Sequence, residues 1–284
     1  MRPKIGLVLG GGGSRGIAHI GVLEVLQRER IPVDYLVGTS MGGIVAVLFA
    51  LGYAPERIAH HMLTQMEGNN LLNLNLLSAR GRQRLVQDQL AEAVGQKSFD
   101  ALRIPTVLMA VDMLHGREVQ LHSGPLMPAI LATSAVPGVF PPVEIGGHWL
   151  SDGGVIDSLA THVAFQMGAQ KVIAVDVYPE LEKDNPWVDP LNAIIGLDFP
   201  FAENMLPDVW QKTPSAASAI WRSVRVITWH VHQQRLAAHP PDVLLRPAVD
   251  DYGSLDFRDV HGPLTAGLAV AESHLHELRA LLEH

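Results

Sequence analysis

Two stretches of this sequence hold side chains whose surroundings equip them for chemistry. Gly38-Thr39-Ser40-Met41-Gly42 satisfies the pattern G-x-S-x-G, and Trp149-Leu150-Ser151-Asp152-Gly153-Gly154 sets a carboxylate before two glycines. A serine on a tight turn between a strand and a helix can act as a nucleophile, provided its neighbours are small and a base takes its proton. Gly38 and Gly42 meet the first need. Taken singly, Ser40 also fits a plain helix N-cap and Asp-Gly-Gly a plain turn. A third stretch changes the balance. Gly10-Gly11-Gly12-Gly13-Ser14-Arg15-Gly16 lies between an apolar strand and a helix, where uncovered N–H groups can hold a negative oxygen. Nucleophile, acid and anion-holding loop are the parts needed to cleave an ester.

The usual base for a serine is histidine. The chain has 14 histidines, yet none sits in a comparably glycine-shaped turn. His148 and His162 flank Asp152 but read as a strand or turn residue and a helix residue, which leaves Asp152 as the better candidate.

These groups need a scaffold. Ile5 to Leu9 is a continuous apolar run and reads as a buried parallel strand. Arg15 to Arg30 has helical spacing, Tyr35 to Val37 is a second strand, and Met41 to Leu51 an apolar helix. Thr106 to Val111 and Val172 to Val177 repeat the buried-strand pattern. Val119 to Leu121 and the segments around Val143 and Trp149 read as antiparallel pieces, so the sheet is mixed. Ser215 to Ala238, with Ile220, Val224, Ile227 and Val231, and the stripe Leu264, Leu268, Ala271, Leu275, Leu278 and Leu282 read as packing helices. The glycine loop ends the first strand and Ser40 the second, which puts both turns at one sheet edge.

Two other frameworks use part of this pattern. Gly11, Gly13 and Gly16 also match G-x-G-x-x-G, with Asp34 downstream, but a dinucleotide site needs its acid at the far end of the second strand and Asp34 precedes that strand. An α/β-hydrolase places several β-α units before its nucleophile; only 39 residues precede Ser40.

Lys+Arg 21 against Asp+Glu 29 gives a net charge of −8 with no basic cluster, so no nucleic-acid partner is expected and any membrane contact would be apolar and peripheral. Without cysteine there is no disulfide, thiolate catalysis or Cys-ligated metal. His60-His61 and His230-x-His232 lack companions, so neither metal nor cofactor is expected. The N-terminus shows no apolar stretch with a cleavage site and the longest apolar run, Ile44 to Leu51, cannot span a bilayer. Cytoplasmic residence is the expectation, as one domain over residues 1–284 with its motifs within 5–180.

Gly11 to Gly16, Gly38 to Gly42 and Asp152 to Gly154, in this order, resemble the patatin-like phospholipases, in particular the bacterial branch akin to neuropathy target esterase catalytic domains. Residues 132 to 142, Ala-Thr-Ser-Ala-Val-Pro-Gly-Val-Phe-Pro-Pro, and Asp242 to Pro247 are similar to that family too. The resemblance implies a three-layer α/β/α fold with a mainly parallel central sheet. It implies a Ser40–Asp152 dyad acting on lipid esters, with the amides of Gly11, Gly12 and Gly13 as oxyanion hole. Arg15 matches the basic position of the glycine loop, where it would hold the loop by hydrogen bonds or form a surface ion pair. One departure stands out. Asp157-Ser158-Leu159-Ala160 replaces an Asn-Asn-x-Pro-like segment, which touches the hydrogen bonding that orients Asp152.

The region 181–284 carries the C-terminal helices and, from Asn185 to Trp210, an apolar stretch broken by prolines at 186, 190, 200 and 207. That stretch reads as core packing or as an acyl-binding flap beside Ser40.

Overall fold

The structure is a computed structural model that describes residues 2–67, 78–181, 216–254, 257 and 259–283. The segment from 185 to 210 lies outside the described residues.

The opening follows the β-α-β-α expectation. Strand β1 (Ile5–Leu9) leads through a 3-10 turn (Gly13–Ile17) into α1 (Ala18–Arg28), and β2 (Tyr35–Thr39) leads into α2 (Met41–Ala50). Helices α3 (Pro55–Glu67) and α4 (Ala79–Ala91) come next. Then follow β3 (Thr106–Asp112), β4 (Arg117–Leu121), α5 (Leu126–Thr133), β5 (Val143–Ile145), β6 (His148–Asp152), α6 (Thr161–Gln166) and β7 (Lys171–Val175). The chain closes with α7 (Ala216–Ala238), β8 (Val243–Leu245), α8 (His261–Ser273) and α9 (Leu275–Ala280).

Among the described residues one eight-stranded sheet runs in the order β5-β6-β3-β2-β1-β7-β8, with β4 also on β3. The pairs β3–β2, β2–β1, β1–β7 and β7–β8 are parallel, while β4, β5 and β6 pair antiparallel. The central strands are buried on both faces, which is why their sequences are continuous apolar runs. Ile5, Leu7, Leu9, Leu36 and Leu108 face α1, α2, α5 and α8; Val8, Val37, Val107, Met109 and Val172 face α6. Helices on both faces make three layers.

The two C-terminal stripes have opposite fates. The one from Leu264 breaks at His274 into α8 and α9 and packs on the core, with Ala271 and Leu278 wholly buried and the four leucines beside them partly so. The one in α7 is not a packing stripe: Ile220 and Ile227 are 67% and 61% exposed, and Val224 is exposed too. The physical reason is that α7 docks by polar groups. His232, 2% exposed, bonds Asp176, and Thr228 accepts a hydrogen bond from the Tyr178 hydroxyl. Helical spacing marks a face but does not say what covers it.

Candidate active site

The site is made by a junction on β3. Strand β4 covers one side of β3 from Leu108 to Asp112, so β2 and β6 share the other side. The last residue of β2, Thr39, pairs with Met109, and the last residue of β6, Asp152, pairs with the next residue, Ala110. One strand runs parallel to β3 and the other antiparallel, so their C-terminal ends meet. Ser40 follows the first end and Asp152 is the second.

Ser40 stands at φ 54°, ψ −126°, a backbone conformation rare for a residue with a side chain. Its side chain makes no capping bond to α2, so the N-cap reading fails. Close packing enforces the turn: a Cβ on Gly42 would overlap the Leu9 carbonyl, and one on Gly38 would overlap Gly43. The Ser40 N–H donates to Thr133 Oγ1 at 3.0 Å, and that hydroxyl donates to Met109 O at 2.6 Å, tying the elbow to the junction. Thr133 lies in the family-like run 132–142, but its role was not legible there, because it depends on α5 ending beside β3.

Asp152 is 4% exposed. Burial pushes its carboxyl up to about 6, partly offset by hydrogen bonds from the Ser40 hydroxyl and the Gly154 N–H. The Gly154 bond measures 2.8 Å, and the Asp152 N–H donates to Ala135 O at 3.0 Å. Gly153 lies against Met109 where a side chain would collide. His148 and His162 are engaged elsewhere, with Asp112 and with Glu118 and Asp157 respectively.

The glycine loop lies beside this pair. A Cβ on Gly11 would lie 3.3 Å from that of Ser40. The Gly11 N–H donates to Ser158 O at 3.0 Å, and Ser158 Oγ donates to Gly11 O at 3.0 Å. That amide is therefore occupied, whereas no described residue accepts from the N–H of Gly12 or Gly13. Ser158 belongs to the segment that departs from the family pattern, and its neighbour Asp157 donates its N–H to Gly153 O at 2.9 Å. The departure thus keeps the function of orientation: Asp157 and Ser158 tie the Asp152 turn to the glycine loop.

Arg15 does not lie at the surface. It is 6% exposed, and its guanidinium donates to Val249 O at 3.2 Å and Ser254 Oγ at 2.6 Å, holding the loop against the segment after β8. Gly16 packs on Met41, next to Ser40. His19, also missed by motif reading, donates from Nε2 to Gly10 O at 2.7 Å; complete burial depresses its pKa to about 4, so it is neutral. Asp34 sits at the opposite end of β2, bound by Arg2, Lys4 and the Ile5 N–H, which closes the dinucleotide reading.

The family model described as patatin-like phospholipase matches residues 7–165, a span that holds the glycine loop, the elbow and Asp152. The chain belongs to this family. It is 37% identical over 179 residues to an NTE family protein of Mycobacterium tuberculosis, covering 62% of this chain and 49% of that protein. It is 29% identical over 285 residues to Lysophospholipase NTE1 of Debaryomyces hansenii, covering 96% of this chain and 18% of the yeast protein. The chain thus spans about half the length, or less, of these curated relatives. Among solved structures, VipD from Legionella pneumophila shares the fold with a TM-score of 0.51 at 11% identity, covering 98% of this chain and 67% of VipD. Membership in the family accounts for the order of the three motifs along the chain.

Proposed function

We propose that this patatin-like chain hydrolyses carboxylic esters of lipids, in the range from lysophospholipase to phospholipase A and esterase, with Ser40 as nucleophile and Asp152 as base. The observation that carries this reading is a buried carboxyl, raised to about 6, whose hydrogen-bond donors include the Ser40 hydroxyl. A base poised near neutral pH is both ionised enough to accept a proton and basic enough to want one.

In the proposed sequence, Ser40 Oγ attacks the acyl carbonyl carbon as its proton passes to Asp152. The carbonyl oxygen becomes an oxyanion held by the N–H groups of Gly12 and Gly13, since Gly11 spends its own on Ser158. The start of α2 adds a favourable dipole. Asp152 then gives the proton to the departing alkoxide. Water, deprotonated by Asp152, attacks the acyl-serine; as the acyl–oxygen bond breaks, Asp152 returns the proton to Ser40 Oγ and the fatty acid is released. The name of the yeast relative, a lysophospholipase, supports this substrate class. Among the described residues no helix is long and apolar enough to cross a membrane, and the apolar side chains that α7 turns outward suit contact with a lipid surface.

A fluorophosphonate probe and short p-nitrophenyl esters test the assignment. Label on the Ser40 peptide, with both labelling and turnover abolished in a folded Ser40→Ala variant, is the expected result. Turnover surviving in that variant excludes Ser40 as nucleophile. Sedimentation with phosphatidylcholine vesicles tests the lipid contact: apolar attachment persists at high salt, whereas release by salt means electrostatic attachment.

A further inference from the structure

Two residues beyond Ala110 along β3, a second buried carboxylate gathers ligands of a different kind. Asp112 is closed to solvent, and its Oδ1 accepts from the Leu114 and His115 N–H groups at 3.0 and 3.3 Å. Its Oδ2 faces two imidazoles, His115 Nδ1 at 2.7 Å and His148 Nδ1 at 2.8 Å. His115 comes from the β3–β4 turn and His148 from the first position of β6, whose Leu150 pairs with Asp112. The three ligand atoms lie within 4.8 Å of one another.

We infer that Asp112, His115 and His148 form a site for a divalent transition metal, zinc by preference, that clasps the β3–β4 turn to the strand ending in Asp152. Two imidazoles and one carboxylate suit Zn²⁺, with water as fourth ligand, and do not suit Ca²⁺ or Mg²⁺, which take oxygen ligands. Oδ2 is the oxygen left over by the turn, so the carboxylate binds through one atom and the turn is undisturbed. Tetrahedral Zn²⁺ at about 2.0–2.1 Å from each ligand needs the ligand atoms roughly 3.3 Å apart. The imidazoles must therefore draw back by roughly half an ångström, for which their side-chain exposures of 58% and 41% leave room. Each ring moves its proton from Nδ1 to Nε2, an atom no described residue contacts, so both ligate as neutral imidazoles. The Arg117 guanidinium, 3.6 Å from Oδ2 and 61% exposed, swings toward solvent as the ion enters. The other three-residue group of this kind among the described residues, Glu118, Asp157 and His162, already holds a guanidinium: Arg235 forms an ion pair with Glu118 at 2.8 Å.

The test is equilibrium dialysis of Zn²⁺ with the full-length, tag-free chain stripped by chelator, alongside melting curves with and without the ion. The discriminating variant is His115→Asn with His148→Asn. Asparagine keeps an N–H donor near the Nδ1 position and so keeps the hydrogen bonds to Asp112, but it is a poor zinc ligand. The expected result is one Zn²⁺ per chain, a higher melting temperature with Zn²⁺, and at least about a tenfold loss of affinity in the double variant, on the scale of removing a zinc-supporting group. His162→Asn should bind as the parent does. Absence of saturable Zn²⁺ binding, or binding unchanged in a folded double variant, overturns the inference and leaves a hydrogen-bond clasp only. Should the double variant fail to fold, His115→Asn alone, at the more exposed position, replaces it: weakened Zn²⁺ binding is expected there, and unchanged binding overturns the inference.

Discussion

Asp152 and Asp112 lie on the same strand pair, β6 and β3, both closed off from water, yet they are prepared for opposite behaviour. Burial pushes each carboxyl up. At Asp152 a hydroxyl and one amide offset only part of that, so its pKa stays near 6. At Asp112 two imidazoles and two amides outweigh burial and hold the carboxyl well below the usual carboxylate range. The number of donors, more than burial, separates the proposed base from the anchor. A carboxylate supplied with every hydrogen bond it can accept has no affinity left for a proton.

Replacing each acid by its amide separates the two roles. Asp152→Asn is expected to lower ester turnover by about 10²–10⁴-fold, the usual worth of general-base help. Asp112→Asn should leave turnover within a few-fold wherever the variant is folded. Comparable losses at both positions, measured on p-nitrophenyl esters, would erase the distinction between base and anchor.

A smaller effect concerns stability, and its sign differs between the two. The folded-state pKa of Asp152 lies above its ordinary value of 3.8, so its contribution is present at low pH and lost as pH rises through about 6. The gap corresponds to on the order of 3 kcal/mol. Asp152→Asn should therefore melt above the parent at pH 8, with the difference shrinking toward pH 5. Asp112 has a depressed pKa, so its stabilisation is present at neutral pH and lost on acidification through that low value. Asp112→Asn should melt below the parent at pH 8. Melting curves at both pH values check the pair, and the same sign for both variants would contradict the contrast.

What the sequence disclosed about these two acids follows from the range of the interactions involved. Ser40 and Asp152 stand in glycine-shaped turns, a local signal, and strands such as Ile5–Leu9 declare themselves by unbroken apolar runs. The cluster around Asp112 was illegible for the opposite reason. His115 reaches Asp112 from the adjoining turn, but His148 is far away in the chain, and only the antiparallel pairing of β3 with β6 brings it to Asp112. His19 was invisible as a support, and Thr133 and Ser158 were marked only by the segments they belong to, because each acts through a hydrogen bond to a backbone atom of another segment. In α7 the apolar spacing was legible but its outward direction was not, since polar contacts to Asp176 and Tyr178 decide which side docks.

Whether Asp152 acts as the base with its pKa near 6 is tested most directly by the pH dependence of kcat/KM for a short ester. Because histidine titrates in the same range, the profile is measured for the parent and for His148→Asn, His162→Asn and Asp152→Asn. The expected profile has an acid limb near pH 6 in the parent, unchanged in both histidine variants, and absent from the residual activity of Asp152→Asn. A limb that persists in Asp152→Asn, or disappears in either histidine variant, would contradict the assignment of Asp152 as base.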